Sequence, residues 1–380
     1  MNLKSFIFFC LLSLLLPGVC RSADNVFTPA VSISTEYDDN ILFSRTAQMD
    51  DMILLITPEM ELNSKTERFS LNGRGHMEIS RYMDNPALNN ENYSIDLSGG
   101  YIPEERMQVN ARVSRVRDTT LDTELAETGI LTRRQKRNRS SAALNFSYDP
   151  GEQDNVAINT DFDTVDYDSP DRMDYRDSSV SLTYTRLTMD RINGIILQPY
   201  FSGTSSAVNR VNSLGFYAGL SRSMNETWNM RALLGARRTK IRLFSVEDRE
   251  WGWLADISLK KTGRTWDLGI GFTHDLYYSS TADSIERDRL QVGYSKNISE
   301  SIRAALKGSV TMARSAGPFS GQDSKYFSLN PSLRYRIADN WSLNMSYTYS
   351  YNRSRTASAT QGADRNVLRV SVYYSFPERF

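Results

Sequence analysis

The sequence predicts an all-β fold: a transmembrane, antiparallel, up-and-down β-barrel of about eighteen strands following a cleaved signal peptide. Three observations predict it. The last ribbon, Asn366 to Phe376, reads NVLRVSVYYSF. Because side chains alternate faces along a strand, Leu368, Val370, Val372, Tyr374 and Phe376 share an apolar side, and Arg369, Ser371, Tyr373 and Ser375 a polar one. The same period of two recurs along the whole chain, which ends at Phe380 shortly after this ribbon. A soluble sandwich strand shows the same alternation, but the recurrence and the aromatic close favour a barrel, apolar outward and polar inward.

Composition agrees. Hydrophobic residues make up 40% and mean hydropathy is −0.47, too polar for a helical membrane protein. A barrel gives this average because only alternate residues touch lipid. The 45 basic and 45 acidic side chains balance, so no charge points to nucleic acid. Residues 1–22 read as a signal peptide: Lys4, an apolar run from Phe6 to Leu16, then Pro17-Gly18 and small residues, with cleavage expected after Ser22 or Ala23. A lipoprotein signal at Cys20 is disfavoured by bulky Val19 before it. Both cysteines, Cys10 and Cys20, fall in this segment, so a mature chain of residues 23–380 has no disulfide. No later apolar run is long enough for a transmembrane helix. The mature protein is expected in a bacterial outer membrane, among its lipids and inserted by the barrel-assembly machinery.

The ribbons fall at 28–37, 52–63, 67–82, 91–102, 106–117, 137–149, 154–166, 175–187, 193–204, 211–222, 227–241, 249–261, 264–278, 286–297, 300–314, 324–337, 341–353 and 365–376. In 341–353, Trp341, Leu343, Met345, Tyr347, Tyr349 and Tyr351 alternate with Ser342, Asn344, Ser346, Thr348, Ser350 and Asn352. With the N-terminus periplasmic, every second linker is tight, as in PEER (103–106), KTGR (261–264) and IADN (337–340). The opposite set includes the longer 38–51, 83–91, 118–136 and 353–365, the asymmetry of outer-membrane barrels. Trp228, Trp266 and Trp341 follow periplasmic turns and predict an interfacial belt.

The inward sets line an aqueous face. Acids gather early (Glu59, Glu61, Glu78, Asp96, Asp161 and Asp163) and bases late (Arg289, Arg303, Lys307, Arg334, Arg336 and Arg369). Two readings stay open: a transverse field across a pore, or cross-strand pairs that hold the wall together. Asp256, Asp267 and Asp275 on the basic half speak partly for pairing. No plug domain precedes the first ribbon. The segment 118–136 (DTTLDTELAETGILTRRQK) is read as a solvated surface loop, with folding into the lumen as the alternative. Carboxylates at Glu36–Asn40 and at Asp50 and Asp51 match no calcium-loop spacing, so no metal site and no cofactor are assigned. Only two histidines occur: His76 on the lumen set and His274 on the lipid set beside Asp275. Neither sits in a nucleophile–base motif, and no enzyme is expected.

The signal peptide, an early strand ending in Tyr37-Asp38-Asp39-Asn40, the many Tyr/Arg/Ser strands and the aromatic close resemble outer-membrane β-barrel porins often associated with exopolysaccharide systems. That resemblance implies an integral outer-membrane barrel and a part in exopolysaccharide passage or surface assembly. The terminal aromatic departs from it, since Phe376 is followed by Pro377-Glu378-Arg379-Phe380. Tyr374 with Phe376 or Phe380 is the expected assembly signal. The expected function is a porin-like pore for passive passage of small hydrophilic solutes or ions. The alternatives are an exopolysaccharide conduit, with Tyr200, Tyr217 and Tyr373 stacking on sugars, and a surface-structural barrel with a blocked lumen. Porin-like barrels often assemble as homo-trimers, but no ribbon here is less lipophilic than its neighbours, so the sequence marks no trimer face.

Overall fold

Alternation needs a partner on each side of every strand, and the computed structural model shows how the chain supplies them. It describes residues 24–379 apart from 131–132, 226, 244–245, 279–283, 317–322 and 356–359. The signal segment 1–22 and Phe380 lie outside the described residues. The strands are β1 (Asp24–Asp38), β2 (Asp51–Lys65), β3 (Phe69–Tyr82), β4 (Asn90–Tyr101), β5 (Met107–Thr119), β6 (Lys136–Tyr148), β7 (Asp154–Tyr167), β8 (Tyr175–Leu187) and β9 (Asn193–Ser206). They continue as β10 (Asn209–Asn225), β11 (Trp228–Leu243), β12 (Val246–Thr262), β13 (Trp266–Tyr278), β14 (Ser284–Asn297), β15 (Ile302–Ala316), β16 (Asp323–Ala338), β17 (Trp341–Arg355) and β18 (Thr360–Ser375). Each pairs antiparallel with its sequence neighbours, and β18 returns to β1 with Ala30 opposite Ser375 and Tyr37 opposite Leu368. The result is a closed eighteen-stranded barrel.

All eighteen predicted ribbons correspond to strands. The ends differ most where alternation gives no signal: β1 begins at Asp24 and β18 at Thr360. There the ladder continues past the apolar stripe, through polar residues that period two does not mark. The strands run 12 to 17 residues, longer than the roughly 9–11 a tilted strand needs to cross hydrocarbon. A two-residue β19 (Glu378–Arg379) pairs with Val26 and Phe27 after the ladder breaks at Phe376-Pro377, as expected of a residue without an N–H.

Ile33, Leu214 and Leu234 are 54%, 66% and 60% exposed on the outer face. In water such a continuous apolar surface would mark an interaction site; around a closed barrel it meets hydrocarbon. The outer face is ringed by aromatics next to the short turns. Lys261 lies 4.5 Å from the ring of Trp228 and 4.7 Å from that of Trp266. Trp341 packs on Tyr374 at 4.6 Å, and Tyr374 on Phe376 at 5.9 Å. These rings stand at the short-turn end, where the three tryptophans predict an interfacial belt; there Lys261 could reach headgroup level.

The seam between first and last strands is tied at its outer end by the Tyr37–Asn40 element. Asp38, with no exposed side-chain surface, is gripped by Arg365 Nε at 2.9 Å. Asp39 accepts from the backbone N–H (2.7 Å) and the amide (2.6 Å) of Asn366. Asn40 donates to the carbonyls of Ser44 and Asp364, both at 2.8 Å.

Candidate functional site: the lumen and the segments folded into it

Residues 120–130 leave the outer rim and cross the lumen, where the sequence favours a solvated loop. The physical reason is apolar content that needs burial. Leu121 and Leu125 pack on Phe43, Tyr326 and Ala363, while Ile130 packs on Ile285 and Ala313. Thr119 and Asp122 form a capping box that opens a π-helical turn, Thr120–Glu124, which passes into α1 (Leu125–Thr128). Gly129 ends α1 at φ 71°, a left-handed conformation suited to glycine.

Polar contacts fasten this crossbar at both ends. On the near wall, Arg137 is 2% exposed and grips Asp118 at 2.7 and 3.3 Å, with Glu124 at 3.8 Å. Glu127 accepts from Arg139 (3.1 Å) and Tyr277 (3.1 Å), and its carbonyl from Arg287 (2.7 Å). On the far wall, the Gly129 carbonyl accepts from Asn352 at 2.7 Å and from Ser324. Such a network is strong when every member is satisfied.

A second element leans inward. β12 pairs with β13 only over Ala255–Thr262 against Asp267–His274, leaving their outer ends apart. Beyond that fork Tyr278 joins Tyr175, Val165, Val211 and Ile241 from the inner faces of β7, β8, β10 and β11. Tyr278 and Tyr175 rings are 5.1 Å apart, and the Tyr278 hydroxyl donates to Ser206. Arg237, fully buried, reaches Glu286 at 2.7 Å across the fork. His274 sits where the strands part, stacked under Trp253 at 3.7 Å and 2.7 Å from Asp288. Its place on the outward set agrees with the sequence reading; Trp253 covers it.

Crossbar and leaning hairpin divide the outer lumen. One compartment, about 610 Å³, is lined by Glu36, Glu78, Asp118 and Asp122 together with Arg117, Arg134, Arg365 and Arg369. The other, about 310 Å³, lies between β7–β10 and the leaning β13–β14.

The predicted lumen acids and bases distribute as follows. Arg369 of the basic group meets Glu78 of the acidic group at 3.7 Å, and Glu36 at 2.6 Å. Three acids meet arginines on neighbouring strands: Glu61 with Arg74 (3.6 Å), Asp96 with Arg112 (2.6 Å) and Asp163 with Arg139 (3.0 Å). Asp161 accepts from Ser179 at 3.3 Å. Arg303 is 3.9 Å from Asp267, and Arg334 donates to Asn344 at 2.7 Å. Lys307 and Arg336 stand with them on the β15–β16 wall, Arg289 lies beside Gln291 on β14, and Glu59 lies opposite His76 on β3. Asp256 and Asp275 meet Arg231 (3.8 Å) and Arg287 (2.7 Å). The carboxylates weighed for calcium are otherwise engaged: Asp38 by Arg365, Asp39 by Asn366, and Asp51 by the N–H groups of Met83, Asp84 and Asn85. Among the described residues no group of three or more His, Cys, Asp or Glu side chains is placed to hold a metal ion.

Sequence reasoning missed Arg137, Arg287, Ser324 and Asn352, which hold the crossbar. Each reads as one more polar residue on an inward set, and only the crossbar's path gives it a partner.

Residues 22–184, reaching into β8, match the family model described as "Putative beta-barrel porin 2". No curated protein sequence matches the chain. Among solved structures, the ferric citrate transporter FecA in its unliganded form shares 7% identity at a TM-score of 0.50, covering 92% of this chain and 78% of that one. OccK2 (OpdF) of Pseudomonas aeruginosa shares 11% at a TM-score of 0.49, covering 95% and 100%. OccAB3 of Acinetobacter baumannii shares 11% at 0.47, covering 94% and 100%. Identities this low speak to fold alone. Residues 22–184 thus resemble that family, and with its lipid-facing exterior and polar lumen the chain is an integral outer-membrane β-barrel.

Proposed function

We propose that the barrel is a passive, water-filled channel for small hydrophilic solutes or ions, with no covalent chemistry, narrowed by the segment 120–130. The observation that carries this reading is the crossbar itself. It leaves a compartment of about 610 Å³ beside it, lined by facing carboxylates and guanidinium groups. Fixed charges of both signs around a narrow aqueous passage select by charge as well as size. Nearer the periplasmic rim, Arg303, Arg334 and Arg336 line β15 and β16, where the nearest acid to Arg303 is 3.9 Å away. They bias entry from that side toward anions. An exopolysaccharide conduit would need the crossbar to withdraw, and a surface-structural barrel would need it to seal. In this reading the partners are outer-membrane lipids, the solute, and an assembly machinery that takes Tyr374 and Phe376 as its signal.

The test is single-channel conductance of the refolded protein in a planar bilayer, with the reversal potential measured in a salt gradient. Steady conductance is expected, and Arg303, Arg334 and Arg336 changed together to Ser should move the reversal potential toward cation preference. A correctly folded barrel that passes no current would overturn the open-channel reading.

A further inference from the structure

The smaller compartment differs from the rest of the lumen in charge. Asp161, Asp177 and Asp275 line it, with Tyr200, Tyr217, Tyr277 and Tyr278 and a set of hydroxyls, and among the described residues no Lys, Arg or His does. The bases beside it already have partners: Arg139 has Asp163 and Glu127, Arg287 has the lining Asp275, Arg237 has Glu286, and Arg231 has Gln198 and Asp256. Among the contacts the described residues make, Asp161 and Asp177 accept only from neutral donors: the Ser179 hydroxyl at 3.3 Å for Asp161, and the Thr204 hydroxyl at 2.7 Å and the Ser178 backbone N–H for Asp177. Two carboxylates in a confined space with neutral partners favour a cation over a neutral solute.

A second observation is independent of the acids. Ser284 lines the same cavity and is 3% exposed, yet among the described residues its hydroxyl has no hydrogen-bond partner. A buried polar group left unpaired is costly, and a ligand hydroxyl or ammonium would supply what is missing. The aromatic side is built as well. Tyr200 lies across Gly215, where a Cβ would come within 2.2 Å of its ring, and its centroid is 5.7 Å from that of Tyr217. Paired ring faces suit the apolar face of a sugar and attract a nearby ammonium.

We propose that this compartment is a binding subsite for a small polyhydroxylated solute carrying a protonated amine, of amino-sugar type. Asp161 and Asp177 hold the ammonium, Tyr200 and Tyr217 cover one face, and the Ser and Thr hydroxyls meet the ring oxygens. The inference names a solute class for one side of the channel and rests on the channel reading for its route of entry.

The test is calorimetric titration of the refolded full-length protein in nanodiscs with D-glucosamine, glucose, N-acetylglucosamine and glucuronate. Glucosamine should bind about ten-fold tighter than glucose or N-acetylglucosamine, the difference between a charge-assisted and a neutral hydrogen bond. Asp161→Asn with Asp177→Asn should remove that preference, with glucosamine binding no tighter than glucose. If the double variant does not fold, the wild-type series still decides, because N-acetylation removes the charge and keeps the ring. Equal binding of the four sugars, or tighter glucuronate, overturns the proposal. Binding preserved in a barrel that carries no current would sink the channel reading and spare the subsite; current without discrimination would do the reverse.

Discussion

At the scale of single residues, the chain uses carboxylates as fasteners wherever polypeptide segments must be held without a disulfide. Asp38 and Arg365 join strands at opposite ends of the sequence, and Asp51 gathers three successive amides of the 83–85 loop. Asp38→Ala would leave the Arg365 guanidinium without its main partner. The expected loss is about 2–3 kcal/mol, toward the low end for a broken buried pair because Arg365 keeps some solvent access. Urea unfolding in lipid vesicles would read it as a lowered midpoint, and Asp38→Asn, which keeps an acceptor, should lose less. A midpoint unchanged by Asp38→Ala would mean the seam is held by its backbone ladder alone. The Tyr37–Asn40 element was visible in the sequence as a resemblance; its role as a latch was not, since Arg365 and Asn366 lie more than three hundred positions away.

Among elements, the crossbar is the one whose conformation decides what the barrel can do. Gly129 marks its turning point: a Cβ there would lie 3.2 Å from Thr311 Cγ2, on a backbone at φ 71°. Gly129→Ala should cost about 1–2 kcal/mol, the penalty for a side chain in left-handed geometry. It should loosen the crossbar without unfolding the wall, which would appear as flickering between conductance levels. Replacing residues 121–130 by a Gly-Ser linker should raise conductance several-fold and relax the size limit in a liposome-swelling assay. Unchanged conductance in that deletion would show that the narrowest point lies elsewhere, for instance at the leaning ends of β13 and β14. Sequence suggested both fates for this segment. Its Leu121, Leu125 and Ile130 need burial, but whether a wall or a neighbouring loop covers them depends on where the far strands stand.

For the molecule as a whole, the aromatic rim fixes depth in the bilayer. Variants keeping one tryptophan each, with the others changed to Phe, should show Trp228, Trp266 and Trp341 quenched most by lipids brominated near the headgroup. Strongest quenching from bromines at the chain ends would place the short-turn rim inside the hydrocarbon and contradict the belt. Belt, outer stripe and closing register form one pattern: Trp341 and Tyr374 are paired across β17 and β18, and Val31 faces Tyr374 across the seam.

Strand number, facing and the tryptophan rim could be read from the sequence because each follows from local alternation. A residue on an inward or outward set stays there whatever its neighbours do, so eighteen ribbons and their faces needed no tertiary information. What lines the lumen was legible only as a composition of acids and bases. Which acid meets which base, as with Glu78 and Arg369 at 3.7 Å, depends on how strands distant in sequence come together across the seam. The tertiary structure alone decided that 120–130 crosses the lumen and that β13 parts from β12. Both follow from burial of apolar and charged side chains against walls far away in the chain, which no local period encodes.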